Sequence, residues 1–186
     1  MNEFYTVKIA GLERHLPVCP LNENLCIAAF VIFGDVEMTV AAAAELLKIA
    51  PKHDIIITAE AKGIPLVHEM ARQESESTYI VARKIAKLYM KEVFSVELKS
   101  ITTKQVQTLC IDTAEAELMK GKNILIVDDV ISTGESLRAV EHLVKQAGGN
   151  IVGKMAVLAE GDAALRDDII FLERLPLLDP DGNPID

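Results

Sequence analysis

Ile124-Leu125-Ile126-Val127-Asp128-Asp129-Val130-Ile131-Ser132-Thr133-Gly134-Glu135-Ser136 is the stretch that decides how this chain folds. Its four leading aliphatic residues, with no polar interruption, fit a strand buried on both faces of a parallel sheet. Two adjacent carboxylates stand at the carboxyl end of that strand. A loop of small and hydroxyl residues follows, and Leu137–Ala147 then has the apolar spacing of a helix. Such a loop captures anions. Gly134 lets the backbone come close, successive N–H groups form a concave nest, and the helix start adds partial positive charge. Thr133 and Ser136 add hydroxyl donors, so the run Val130, Ile131, Ser132, Thr133, Gly134, Glu135 and Ser136 is the candidate cradle. The loop has no lysine of the kind G-x-x-x-x-G-K-S/T requires, which argues against an ordinary nucleoside-triphosphate loop.

The acidic pair narrows the ligand. Asp128 and Asp129 would repel a bare polyphosphate, whereas an ionised carboxylate is a pure acceptor and suits the two hydroxyls of a ribose diol. A phosphate in the loop with a ribose over the aspartates is a ribose phosphate. Gly134, close to the phosphate, is expected to need φ > 0, and a valine there is expected to abolish binding with little effect on thermal stability.

The whole chain bounds the answer. Its 186 residues, 50% of them hydrophobic, suit one globular domain over 1–186, with 1–34 and 160–186 as hood or tail segments. A net charge of −9 speaks against a nucleic-acid surface. Met1–Leu16 alternates polar and apolar residues, unlike a secretory leader, and the apolar run Leu25–Phe33 is too short to span a bilayer. Cys19, Cys26 and Cys110 show no Cys-x-x-Cys pair and are expected to be reduced core residues of a cytoplasmic protein. His15, His53, His68 and His142 have no metal-ligand spacing, so no resident metal site is expected.

Outward from the loop, strand and helix signals alternate. Leu25–Phe33 reads as a strand stopped by Gly34 and Asp35, and Glu37–Ala50 as an alanine-rich helix ended by Pro51. Asp54–Thr58 and Thr78–Ala82 read as strands around a helical Ile64–Gln73, and Ile151–Ala159 as a further strand. The pattern predicts an α/β fold, a parallel twisted sheet flanked by helices, with ligands at the carboxyl ends of the strands. Three of those ends carry charge: Lys62, Arg83-Lys84 and Asp128-Asp129. From Arg83 to Lys104 six basic residues face two glutamates, which points to an anionic ligand in so acidic a chain. Lys91, Lys99 and Lys104 also suit a solvated face. Val93–Ile101 and Gln105–Ile111 flank Thr102–Lys104 as a long hairpin or flap. Glu160-Gly161-Asp162 either faces the same crevice or is a polar turn with Asp162 as N-cap of the next helix. Asp179–Asp186 reads as an extended tail or edge segment.

Val127–Ser136 resembles the phosphoribosyl-pyrophosphate motif of the phosphoribosyltransferases. Glu60-Ala61-Lys62-Gly63 resembles the Glu-Ala/Ser-Arg-Gly turn of the adenine enzymes, and Arg83-Lys84-x-x-Lys87-Leu88 their Arg-Lys-x-x-Lys-Leu segment. The resemblance covers roughly Asp54 to Ala159. It implies the type I phosphoribosyltransferase fold with a flap and a small hood, in a homodimer. It further implies transfer of phosphoribose from phosphoribosyl pyrophosphate to a purine base, adenine foremost, giving the nucleoside monophosphate and pyrophosphate. Ala61, Lys62 and Gly63 would hold pyrophosphate, often through a strained peptide bond, which carries over to Ala61-Lys62. Lys62, Arg83, Lys84 and Lys87 would be catalytic, and Mg²⁺ would bind mainly through the substrate pyrophosphate. Two features depart from the adenine enzymes. The flap has no Glu-Tyr-Gly stretch, Ser100-Ile101-Thr102-Thr103-Lys104 resembling instead the flap of xanthine phosphoribosyltransferases and of a related purine-responsive repressor, and Met1–Gly34 shows no clear counterpart of the N-terminal segment that helps enclose the base in adenine enzymes. Xanthine or another base, or a non-catalytic sensor of the donor, are therefore the alternatives.

Overall fold

A computed structural model describes residues 2–90, 92–99 and 106–185. The chain opens with three strands, β1 (Phe4–Ile9), β2 (Leu12–Asn22) and β3 (Leu25–Ala28), followed by helix α1 (Val36–Ile49). Strand β4 (Ile55–Ala59), helix α2 (Ile64–Gln73) and strand β5 (Ile80–Ala82) come next, then the hairpin strands β6 (Val93–Lys99) and β7 (Val106–Asp112). Helix α3 (Thr113–Met119), strand β8 (Asn123–Ile131), helix α4 (Glu135–Gln146) and strand β9 (Asn150–Glu160) follow. A 3-10 helix (Gly161–Leu165), β10 (Ile170–Leu175) and β11 (Leu177–Leu178) close the chain.

The aliphatic run 124–127 lies in β8, the middle strand of a five-stranded parallel sheet ordered β10-β9-β8-β4-β5. Alternation sorts its side chains to two faces. Ile56, Leu125, Val127, Met155 and Val157 join a core with α1 and α2, while Ile57, Ile124, Ile126 and Ala156 join another with α3, α4 and the hairpin. From β4 the chain crosses through α2 to β5 on one side, and from β8 it crosses through α4 to β9 on the other. The direction of winding therefore reverses between β4 and β8, and a crevice opens at their carboxyl ends. The expected parallel α/β sheet flanked by helices is present.

The first strand departs from expectation. Leu25–Phe33 is not one strand, and β3 ends at Ala28 in a separate antiparallel sheet ordered β1-β2-β3-β11. Phe30 and Ile32 are buried without a ladder, and apolarity alone does not separate these two fates. The alternation in Met1–Leu16 is that of a hairpin, turned at Ala10 (φ 50°) and Gly11 (φ 82°) with Val7, Ile9 and Leu16 inward. Arg14 of β2 pairs with Asp35 at 2.7 Å and Glu37 at 2.9 Å, tying this sheet to the start of α1, which Asp35 caps by accepting from Met38 N. Asp162 is not an N-cap: Glu160 caps the 3-10 helix, and Asp162 lies in its first turn. Of the two readings of the C-terminal stretch, edge segment rather than extended tail holds over 179–185: Asp179 accepts from the backbone of Asp181 and Asn183, and the chain returns to bridge Leu178 with Pro184. Cys26 and Cys110 are buried thiols, while Cys19 is only half-buried. Among the described residues no helix is long and apolar enough to cross a membrane.

Candidate active site

The crevice is built first by the turn after β4. The peptide Glu60–Ala61 is cis, one bond before the expected Ala61–Lys62. Gly63 is glycine because of close approach: a Cβ there would stand 2.2 Å from Oγ1 of buried Thr58 and 3.2 Å from Oδ1 of Asp128. The missing Cβ lets the turn pack against Thr58 of β4 and the end of β8. Lys62, beside it, places Nζ 2.9 Å from Oδ2 of Asp129.

The two aspartates are not equivalent. Asp129 is buried, and its Oδ2 accepts no hydrogen bond among the described residues, the Lys62 ammonium being close but not aligned as a donor. Asp128 Oδ1 accepts the Asp129 N–H at 2.9 Å. Burial, with the neighbouring charge of Asp129, pushes the Asp128 carboxyl well above the ordinary aspartate range; Lys62 opposes this. One ammonium thus faces two carboxylates. With Lys62 already against Asp129 Oδ2, the acceptor capacity left on the pair is a place for ligand hydroxyls.

The loop completes the site. Gly134 has φ 73°, ψ 11° and is the N-cap of α4, so the positive φ expected of it is found. The expectation that valine there leaves stability unchanged is overturned, since a β-branched side chain is strained in this left-handed conformation. Thr133 Oγ1 accepts loosely from Glu135 N at 3.4 Å, and Ser132, Thr133 and Ser136 are exposed. Asp128 and residues 130–137 line a small pocket of about 60 Å³. A larger cavity of about 430 Å³, between Tyr5, the 3-10 helix and the end of β10, shares no lining residue with it.

An acidic pair, an amide loop on a helix start and a winding reversal now coincide, and comparison with known proteins agrees. Residues 36–176 match the phosphoribosyl transferase domain family. The chain belongs to that family. It thereby belongs to a class of transferase enzymes. Among curated relatives, the xanthine phosphoribosyltransferase of Clostridioides difficile is 28% identical over 137 residues, which is 71% of each chain. The adenine phosphoribosyltransferase of Thermotoga maritima is 34% identical over 107 residues, 58% of each. The match spans under two thirds of the length of several others. The adenine phosphoribosyltransferase structure from Thermoanaerobacter pseudethanolicus superposes with a TM-score of 0.62 at 24% identity, covering 77% of this chain and 84% of that one, which establishes the type I fold.

In this phosphoribosyltransferase chain the basic segment reaches the crevice through Glu60. Lys87 Nζ lies 3.6 Å from Glu60 Oε1, and the Lys84 N–H donates to Glu60 Oε2 at 3.3 Å. Glu60, Lys84, Lys87, Lys62 and Asp129 therefore share one end of the sheet. Arg83 is engaged elsewhere: its guanidinium donates to Val81 O at 2.9 Å, lies 3.9 Å from Glu115 and sits over the Tyr89 ring. Its backbone pairs in both directions with Cys110, which fixes β7 and the base of the hairpin. The flap stretch Ser100–Lys104 and Lys91 fall outside the described residues. Two arginines near the loop escaped the sequence reading. Arg138 Nη1 donates to Thr133 O at 3.3 Å, and Arg166 stands over Gly134. Arg138 could have been found one turn into α4, but Arg166 carries no local signal because only the return of the chain from β9 brings it there.

Proposed function

We propose that this protein is a purine phosphoribosyltransferase. The carrying observation is the buried acceptor of Asp129 beside Asp128, at the mouth of the Gly134 loop and against Lys62. The loop holds the 5′-phosphate of phosphoribosyl pyrophosphate, and the two carboxylates accept from the ribose hydroxyls. A base nitrogen bonds to ribose C1 as the bond from C1 to pyrophosphate oxygen breaks. Pyrophosphate leaves with the electron pair, and the N–H proton of the base passes to solvent water. Charge growing on the leaving group is met by Lys62, Lys84 and Lys87, with Arg83 behind them, so these cations stabilise the transition state more than the bound donor. Glu60 holds Lys87 and the Lys84 amide in place. A Mg²⁺ carried in by the pyrophosphate would be held mainly by the ligand's own oxygens, whose charge it would neutralise, with the oxygens of Asp128 and Asp129 nearby as further acceptors.

Adenine is the first reading of the base, supported by the matches at Glu60–Gly63 and Arg83–Leu88. Xanthine is the second, supported by the Clostridioides difficile relative and by the resemblance at Ser100–Lys104. A homodimer belongs to the proposal. Ile85, Leu88 and Tyr89, beside the crevice, are 71%, 107% and 66% exposed, and a second copy would cover them. Incubation of the protein with donor, Mg²⁺ and each free purine in turn, following pyrophosphate, tests the reaction. Release with one purine is expected. Tight donor binding without release on any base would make the protein a sensor of the donor instead.

A further inference from the structure

The loop at Gly134 offers backbone amides but no lysine, and acidic groups surround it: Asp128 and Asp129 on one side and Glu135 within it. A dianionic phosphate there needs positive charge from elsewhere. Arg138, whose Nη1 donates to Thr133 O and lies 3.6 Å from where a Cβ on Gly134 would stand, supplies part of it, and Arg166, just past the 3-10 helix, comes nearer still. Its Nη1 lies 2.7 Å from the point where a Cβ on Gly134 would stand. Its Nε and Nη2 each reach an oxygen of Asp168 at 2.8 Å, a side-on pairing that leaves Nη1 as the edge turned to the loop. Asp168 also pairs with Lys154 of β9, whose Nζ lies 3.0 Å from Glu141 of α4. Four groups of alternating charge thus join the segment that carries Arg166 to the helix whose first residues form the loop. Arg166 and Lys154 hold the Asp168 carboxyl far below the usual range, so the fork stays charged on both sides.

We propose that Arg166 is a ligand-binding residue, its Nη1 donating to the 5′-phosphate in the loop, and that Asp168 is the positioning residue that orients it. The inference rests on the phosphoribosyltransferase reading above. A guanidinium held on one edge presents the other in a fixed plane, which suits a phosphate oxygen better than a mobile ammonium would. Gly134 then has two reasons to be glycine: its positive φ, and the room its missing Cβ leaves for Arg166.

The test measures binding of two halves of the donor, ribose 5-phosphate and pyrophosphate with Mg²⁺, by calorimetry. In Arg166→Gln, ribose 5-phosphate should bind roughly ten- to a hundredfold more weakly, the range for a hydrogen bond to a charged group, while pyrophosphate stays within about twofold. Arg166→Lys should recover part of the loss. Asp168→Asn, nearly the same size, should weaken ribose 5-phosphate alone. Parent protein that binds neither half would remove the phosphoribosyltransferase reading itself. Parent that binds both, with ribose 5-phosphate unchanged in Arg166→Gln, would overturn the role of Arg166. So would an equal loss of both halves with a lowered melting temperature, because that is the mark of a merely structural residue.

Discussion

Gly134→Val perturbs the loop at its most constrained point. The native residue has φ 73°, where a non-glycine residue costs about 1–3 kcal/mol, a β-branched one toward the upper end. The new Cβ also meets Arg166 Nη1 at 2.7 Å, so the guanidinium must swing away from its pairing with Asp168, which adds to the loss of phosphate binding. For a chain of this size each kcal/mol shifts the melting temperature by about 2–4 °C, so the ligand-free mutant should melt about 2–12 °C lower and still cooperatively. The second readout is stabilisation by donor with Mg²⁺. At a concentration a hundredfold above Kd the parent gains about 2.7 kcal/mol, or roughly 5–11 °C. If valine weakens binding about a hundredfold, the same concentration gives only about 0.4 kcal/mol, close to 1 °C. Scanning fluorimetry at several donor concentrations separates the two effects. A mutant that kept the full donor-induced rise would place the 5′-phosphate elsewhere and refute the assignment of the loop.

The raised pKa of Asp128 makes a signed prediction about pH. Its protonated form is favoured in the fold, so its contribution to stability is complete at acid pH and is lost as pH rises from the unfolded aspartate value through the raised folded one. Asp128→Asn should flatten that part of a plot of melting temperature against pH; an identical profile would contradict the burial of the charge. Lys62→Gln removes the ammonium that pairs with Asp129. Because Lys62 is 46% exposed, the cost should be about 1–2 kcal/mol by urea unfolding, less than for a fully buried pair, and pyrophosphate release should slow by orders of magnitude. Unaltered turnover would take Lys62 out of the mechanism. Light scattering should give twice the 20.3 kDa chain mass, and Leu88→Lys should shift it toward the single chain; a parent that is monomeric at micromolar concentration would exclude the dimer.

Much of the fold and part of the site were legible in the sequence, and particular residues show where legibility ended. Helix α2 begins and ends where its pattern says, because Pro65 in its first turn and the apolar spacing to Met70 are local signals. The strand–loop–helix from Ile124 to Gln146 is equally local: an aliphatic run, a glycine and an amphipathic stretch each specify themselves. The antiparallel sheet was not legible as such. Its strands combine residues 4–28 with residues 177–178, and nothing near either end of the chain announces a partner so distant.

The sequence by itself determined that an acidic pair precedes an anion loop, since both are properties of neighbouring residues. It could not distinguish Asp128 from Asp129, which are identical in type and adjacent. Tertiary structure alone made Asp129 the one with a buried oxygen paired to Lys62, and Asp128 the one whose carboxyl resists ionisation. Tertiary structure alone also gathered Lys84 and Lys87 on Glu60, turned Arg83 toward Val81 and Glu115, and brought Arg166 over Gly134. The physical reason is common to all of these. Conformational preference acts within a few residues, whereas burial and charge pairing depend on what the packed sheet brings alongside.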